Sequence, residues 1–142
     1  MATKRQAIVE AITTLLNTIQ GSPYESDLES NVLSKLIFWD EIQQYPTVSV
    51  VSGTETREYK SSGLTWAYLD INITIFVQSE DPKDSIESIF VDIENILDAN
   101  NTLTIEGQST CTDIRVLSLS DDNGVLAPLG VGEIALTVQY NV

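Results

Sequence analysis

Histidine is absent from the 142-residue chain, and cysteine occurs once, at Cys111. Histidine is the usual general base near neutral pH and the commonest transition-metal ligand, so Ser-His-Asp and Cys-His chemistry are excluded. One cysteine rules out an intramolecular disulfide and a thiolate metal cluster, and it fits the cell interior as compartment. Positive charge is also scarce: seven Lys and Arg face 21 Asp and Glu, a formal net charge of −14. Lys4, Arg5, Lys35, Arg57, Lys60, Lys83 and Arg115 are scattered along the chain, whereas a phosphate-gripping surface needs its cations clustered. The same sign disfavours an anionic membrane. No apolar run approaches the roughly 18 residues of a membrane span, and no secretory h-region follows Met1-Ala2-Thr3-Lys4-Arg5. These absences lead us to expect no enzyme, no cofactor and no membrane association.

What is present is the material of a core. Hydrophobic residues make up 42% of the chain, enough for one domain over residues 1–142. Ala7, Ile8, Ala11, Ile12, Leu15, Leu16 and Ile19 form a helical stripe over residues 3–20, stopped by Gly21-Ser22-Pro23. Residues 24–31 read as a polar loop, and residues 32–39, of mixed pattern, as a strand. A short strand over residues 47–51 is expected to end at Ser52-Gly53. The polar, glycine-bracketed stretch of residues 53–63 reads as a loop or projecting hairpin. Residues 66–77 alternate strictly, with Ala67, Leu69, Ile71, Ile73, Ile75 and Val77 on one face. Asp81-Pro82 opens a second helix with Ile86, Ile89, Phe90, Ile93, Ile96 and Leu97 as its buried stripe, ended at Asn100-Asn101. Two closing strands lie near residues 111–120 and 131–140, and the apolar phase slips between Ile114/Val116 and Leu117/Leu119, as a bulge or a two-sided strand would make it. This order gives an α+β fold: a single mixed or antiparallel sheet packed with two helices.

None of the chemical constellations outweighs its structural alternative. Asp84 and Glu87 share a helix face and could hold a hard cation, but charge runs on helices are ordinarily solvated faces. Asp121-Asp122-Asn123-Gly124 is rich in oxygen ligands yet lacks calcium-loop spacing, and reads as a tight turn with left-handed residues. Cys111 reads as a small core residue. Gly130-Val-Gly-Glu lacks the third glycine and the strand-turn-helix context of a dinucleotide site.

Four stretches resemble one family in their order and spacing. Lys35-Leu-Ile-Phe-Trp-Asp-Glu-Ile-Gln-Gln-Tyr-Pro-Thr-Val-Ser-Val is followed by Glu55-Thr-Arg-Glu, then Asp92-Ile-Glu, then Val116-Leu-Ser-Leu-Ser-Asp-Asp-Asn-Gly-Val-Leu-Ala-Pro-Leu-Gly-Val-Gly-Glu. Together they resemble the tail-terminator (tail-completion) proteins of tailed bacteriophages from about Lys35 to Tyr140. The resemblance implies a structural virion protein, assembled in the host cytoplasm. It would form a hexameric ring at the head-proximal end of the tail tube, end tube polymerisation and join the tail to the head-tail connector. Its partners would be itself, the tail tube protein and the connector or neck protein, with DNA passing through unbound.

Two loops are then the expected contact arms: residues 53–63, with Glu55, Arg57, Glu58, Tyr59 and Lys60, and residues 121–130, with Asp121, Asp122, Leu126 and Leu129. Deleting residues 56–61 is expected to spare the fold and abolish ring formation or tail joining. Nine acids and five bases lie in the first 70 residues against twelve and two in the rest. Asp70, Asp84, Glu87 and Glu94 are the candidate lumen acids, where carboxylates would repel passing DNA. The competing reading is an acidic stand-alone binding or assembly-factor domain, such as a DNA mimic. A carboxylate-only metal hydrolase is more distant.

Overall fold

In a computed structural model the chain is described over residues 4–20, 24, 28, 31–100, 104–105, 108–109 and 111–142. The expected stop at Gly21-Ser22-Pro23, most of the loop at residues 24–31, Asn101 and the surroundings of the Cys111 side chain lie outside the described residues.

Helix α1 (Lys4–Leu16) buries Ile8, Val9, Ile12 and Leu16. A turn carries the chain to Ile19, which is also buried. The Asn17 side chain ties the end of α1 to the sheet, accepting from the Val32 N–H at 3.1 Å and donating to the Val32 carbonyl at 3.3 Å. Strand β1 (Val32–Leu33) is short. After it the chain leaves the sheet plane through a single 3-10 turn at Trp39–Glu41. Strands β2 (Thr47–Tyr59) and β3 (Thr65–Gln78) form a long hairpin, and helix α2 (Pro82–Ala99) follows. A ribbon of β4 (Thr104–Ile105) and β5 (Gln108–Ser109) precedes the closing strands β6 (Cys111–Asp121) and β7 (Leu129–Asn141).

The main sheet has the order β1-β2-β3-β7-β6. β1 runs parallel to β2 and the other neighbours are antiparallel. This is the expected α+β arrangement, a mixed sheet with two helices. Both helices lie on one face, α1 against β1 and β2, α2 against β3, β7 and β6. Val48, Val50, Leu69, Ile71, Ile73, Ile134, Leu136 and Val138 meet the helix stripes there in one continuous core. The other face is polar and bears Asp70, Asn72, Thr74 and Thr137.

Two expectations about the middle of the chain are corrected. Residues 32–39 are not a continuous strand. Only Val32 and Leu33 pair with β2, and the chain then crosses the open face, where the Ser49 hydroxyl donates to the Lys35 carbonyl. That crossing buries Ile37 and leaves Leu36 and Phe38 exposed. Secondly, β2 does not stop at Ser52-Gly53. It continues to Tyr59 through an irregularity between Ser52 and Glu55, its polar residues held by backbone pairing with Thr65 to Leu69. The projecting-hairpin reading of residues 53–63 holds: β2 and β3 pair out to Tyr59 and Thr65, and only the tip at residues 60–64 turns.

The bulge signal in β6 is present: the register with β7 shifts between Val116 and Ser118. The turn after β6 places Asn123 (φ 55°) and Gly124 (φ 78°) in the left-handed region, as that sequence favours. Gly130 and Gly132 serve packing. A Cβ on Gly130 would lie 2.7 Å from Pro82 Cβ, and one on Gly132 would lie 2.7 Å from Ile86 Cγ2. α2 seats directly on β7 because those two positions lack side chains.

Candidate assembly surfaces

The hairpin residues divide by position into a set anchored near the core and a set at the exposed end. Glu55 faces the helix side, its side chain only 8% exposed. It accepts a hydrogen bond from the Tyr140 hydroxyl and one from Arg57 Nε at 2.7 Å, and Arg5 of α1 stands 3.9 Å away. Arg5 also donates to the Gly53 carbonyl at 2.6 Å. Burial raises the Glu55 carboxyl, but the hydrogen bonds from Tyr140 and Arg57 and the two guanidinium charges outweigh it, so the group titrates below the ordinary glutamate range. The same burial, and the facing carboxylate, push the Tyr140 phenol well above its ordinary value. Glu55 thus fastens β2 to β7 and α1. Glu58, Tyr59 and Lys60 lie at the exposed end of the hairpin; Tyr59 is 75% exposed and Lys60 pairs with Glu58.

The closing loop divides likewise. Asp121, 8% exposed, accepts from Lys83 Nζ at 2.9 Å and from the Asn123 N–H at 2.7 Å. The Lys83 hydrogen bond and then the Asn123 N–H hold its carboxyl below the usual aspartate range. Asp122 accepts from the backbone N–H groups of Leu126 and Val131 and shapes the loop from within. The exposed tip is apolar, formed by Val125 and Leu126, while Leu129 is half-buried where β7 begins.

The four candidate lumen acids are not brought together. Asp70 stands on the open sheet face, with the Thr137 hydroxyl 3.4 Å away. Asp84, Glu87 and Glu94 belong to α2, which covers the opposite face. Asp84 and Glu87 are exposed and Lys83 lies 3.7 Å from Glu87. Among the described residues no three carboxylate or thiol groups converge as a metal site, and no helix is long and apolar enough to cross a membrane.

Sequence reasoning missed the free sheet edge. Among the described residues β6 has a neighbour on one side only, and its Leu117 and Leu119 are 61% and 42% exposed. The phase slip at Leu117 was the available signal, since a bulged residue departs from the core alternation. Beside this edge the open face carries a cleft of about 140 Å³ lined by Tyr68, Asp113, Arg115, Leu117, Thr137 and Gln139.

Anchored hairpin, apolar loop tip and bare sheet edge define a structural protein whose working parts are contact surfaces. Residues 2–142 match the model of the Bacteriophage Tail Tube Terminator Protein family, and the chain belongs to that family. It is 33% identical over 144 aligned positions to the tail tube terminator protein of Escherichia phage T5, covering 95% of this chain and 89% of that protein. The fold also matches a chain from the virion of a native gene transfer agent particle, with a TM-score of 0.65 at 10% identity and complete coverage of both chains. The chain is a structural, non-enzymatic component of the phage tail, with a tail-terminator role.

Proposed function

We propose that the chain ends the tail tube as a hexameric ring of identical subunits at its head-proximal end. The ring stops further addition of tube subunits and offers the surface to which the head-tail connector attaches. Membership of the tail tube terminator family over residues 2–142 carries this reading. The hairpin end (Glu58, Tyr59, Lys60) and the loop tip (Leu126, with Leu129 behind it) are the contact arms. Glu55, Arg57, Asp121 and Asp122 act in those contacts by holding the arms in shape. DNA passes through the lumen without specific binding, because a surface of this charge offers phosphate no clustered cations.

The open sheet face, with Asp70, lines the lumen, and the α2 acids Asp84, Glu87 and Glu94 face outward. This follows the layering of the parallel α/β barrel, where the helices form the outer ring. The test is tube growth. Tail tube protein polymerised with this chain should give tubes capped at one end that no longer lengthen when fresh tube protein is added. Continued growth from both ends would sink the reading.

A further inference from the structure

The ring reading leaves open how subunits join, and the sheet edges speak to this. Among the described residues β6 is paired only by β7, and β2 is paired by β1 only at Val48 and Ser49. Arg5 occupies the β2 edge at Gly53, which leaves residues 54–59 with β3 as their one described strand neighbour. Folded proteins ordinarily shorten, charge or cover long free edges. The β6 edge carries the Asp113–Arg115 pair and a bulge at Leu117, yet it runs the length of Cys111–Asp121 and exposes Leu117 and Leu119.

Resting on the ring reading above, we infer that residues 54–59 of one copy pair with β6 of the next copy, so that the sheet continues from subunit to subunit. Three observations carry this. First, direction: β2 and β6 are separated by three antiparallel steps, so they point opposite ways. A neighbour rotated about an axis along the strands then meets β6 as an antiparallel partner, with its helices on the same side. Second, the two edges are different surfaces, so the contact is head-to-tail, the kind that closes rings.

Third, charge: the β2 edge beyond Gly53 carries Arg5, Arg57 and Lys60 paired with Glu55 and Glu58, and is close to neutral. On the other side, residues 79–100 and 111–122, which hold α2 and β6, carry ten carboxylates against Lys83 and Arg115. Joining unlike edges sets this near-neutral edge of each copy against the acidic side of the next, whereas joining two β6 edges would oppose two acidic sides. An added strand also covers Leu117 and Leu119.

Disulfide trapping tests the pairing. Thr56, Asp113, Arg115 and Ser118 all stand at register positions of the open face. In a Cys111→Ser background, Thr56→Cys is combined in turn with Asp113→Cys, Arg115→Cys and Ser118→Cys, and each variant is assembled on tail tubes and oxidised. At least one pair should give a ladder of covalent oligomers that ends in a closed ring, with no ladder from any single-cysteine variant. Separately, Leu117→Lys with Leu119→Lys should keep the thermal melting of the unassembled chain and lower ring occupancy at tube ends at least tenfold. No ladder from any of the three pairs, or rings at undiminished occupancy in the lysine variant, overturns the edge pairing while the ring stands. Absence of rings from the unaltered chain overturns the ring itself.

Discussion

Glu55 shows how a surface-looking residue can be structural. In sequence it sits among Thr54, Thr56 and Arg57 and reads as part of a polar arm; in the fold its carboxylate is gripped by Tyr140, Arg57 and Arg5. Replacing it by Gln, or Tyr140 by Phe, should cost about 1–3 kcal/mol in denaturant melts, the usual loss when a buried charge-assisted hydrogen bond is broken. The two partners also set the pH limits. The Glu55 carboxyl lies below its ordinary 4.5 in the folded chain, so its contribution is full above that value and is lost as pH falls through the folded value. Tyr140 lies above its ordinary 10.0, so its contribution is full below pH 10 and is lost as pH rises through the folded value. Glu55→Gln should flatten the acid limb of stability against pH, and Tyr140→Phe the alkaline limb.

Among the elements, α2 depends most plainly on single positions. Gly132→Ala places a methyl 2.7 Å from Ile86 Cγ2 and 3.0 Å from Phe90 Cζ, with both neighbours packed in the core. Overpacking of this kind costs about 1–3 kcal/mol, and a lowered melting midpoint measures it. The hairpin deletion also takes on a different meaning. Thr56, Arg57, Glu58 and Tyr59 pair with Tyr68, Ala67, Trp66 and Thr65. Removing residues 56–61 therefore strips paired strand as well as the tip, and should lower the melting midpoint as well as abolish assembly. Substituting Tyr59 and Lys60 alone should leave it unchanged.

Elements whose side chains alternate or stripe against the core were legible: α1, β3, α2, β7 and the β6 bulge. The far half of β2 was not, because an edge strand held by backbone pairing carries no apolar period. Residues 32–39 misled because Ile37 is buried under a crossing segment, with Leu36 and Phe38 left in solvent. The anchoring roles of Glu55 and Asp121 depend on partners as distant in sequence as Tyr140 and Lys83, which no local pattern reveals.

For the whole molecule, the acidic excess resolves into two separate surfaces. Asp70 stands on the open sheet face while Asp84, Glu87 and Glu94 belong to the helix layer, so a sheet standing along the ring axis turns only one set toward the lumen. With the open face inward, Asp70→Lys should slow DNA passage in assembled particles, read as lower infectivity at normal tail length. Asp84→Lys with Glu87→Lys should leave passage unchanged. The central claim, a ring that closes the tube, is tested most directly by electron cryomicroscopy of tail tubes assembled with this chain. The account predicts one hexameric layer of this fold capping one end of each tube, with its open sheet faces around the axis. Tube ends that carry only tube subunits, with this chain bound elsewhere or not at all, would contradict it.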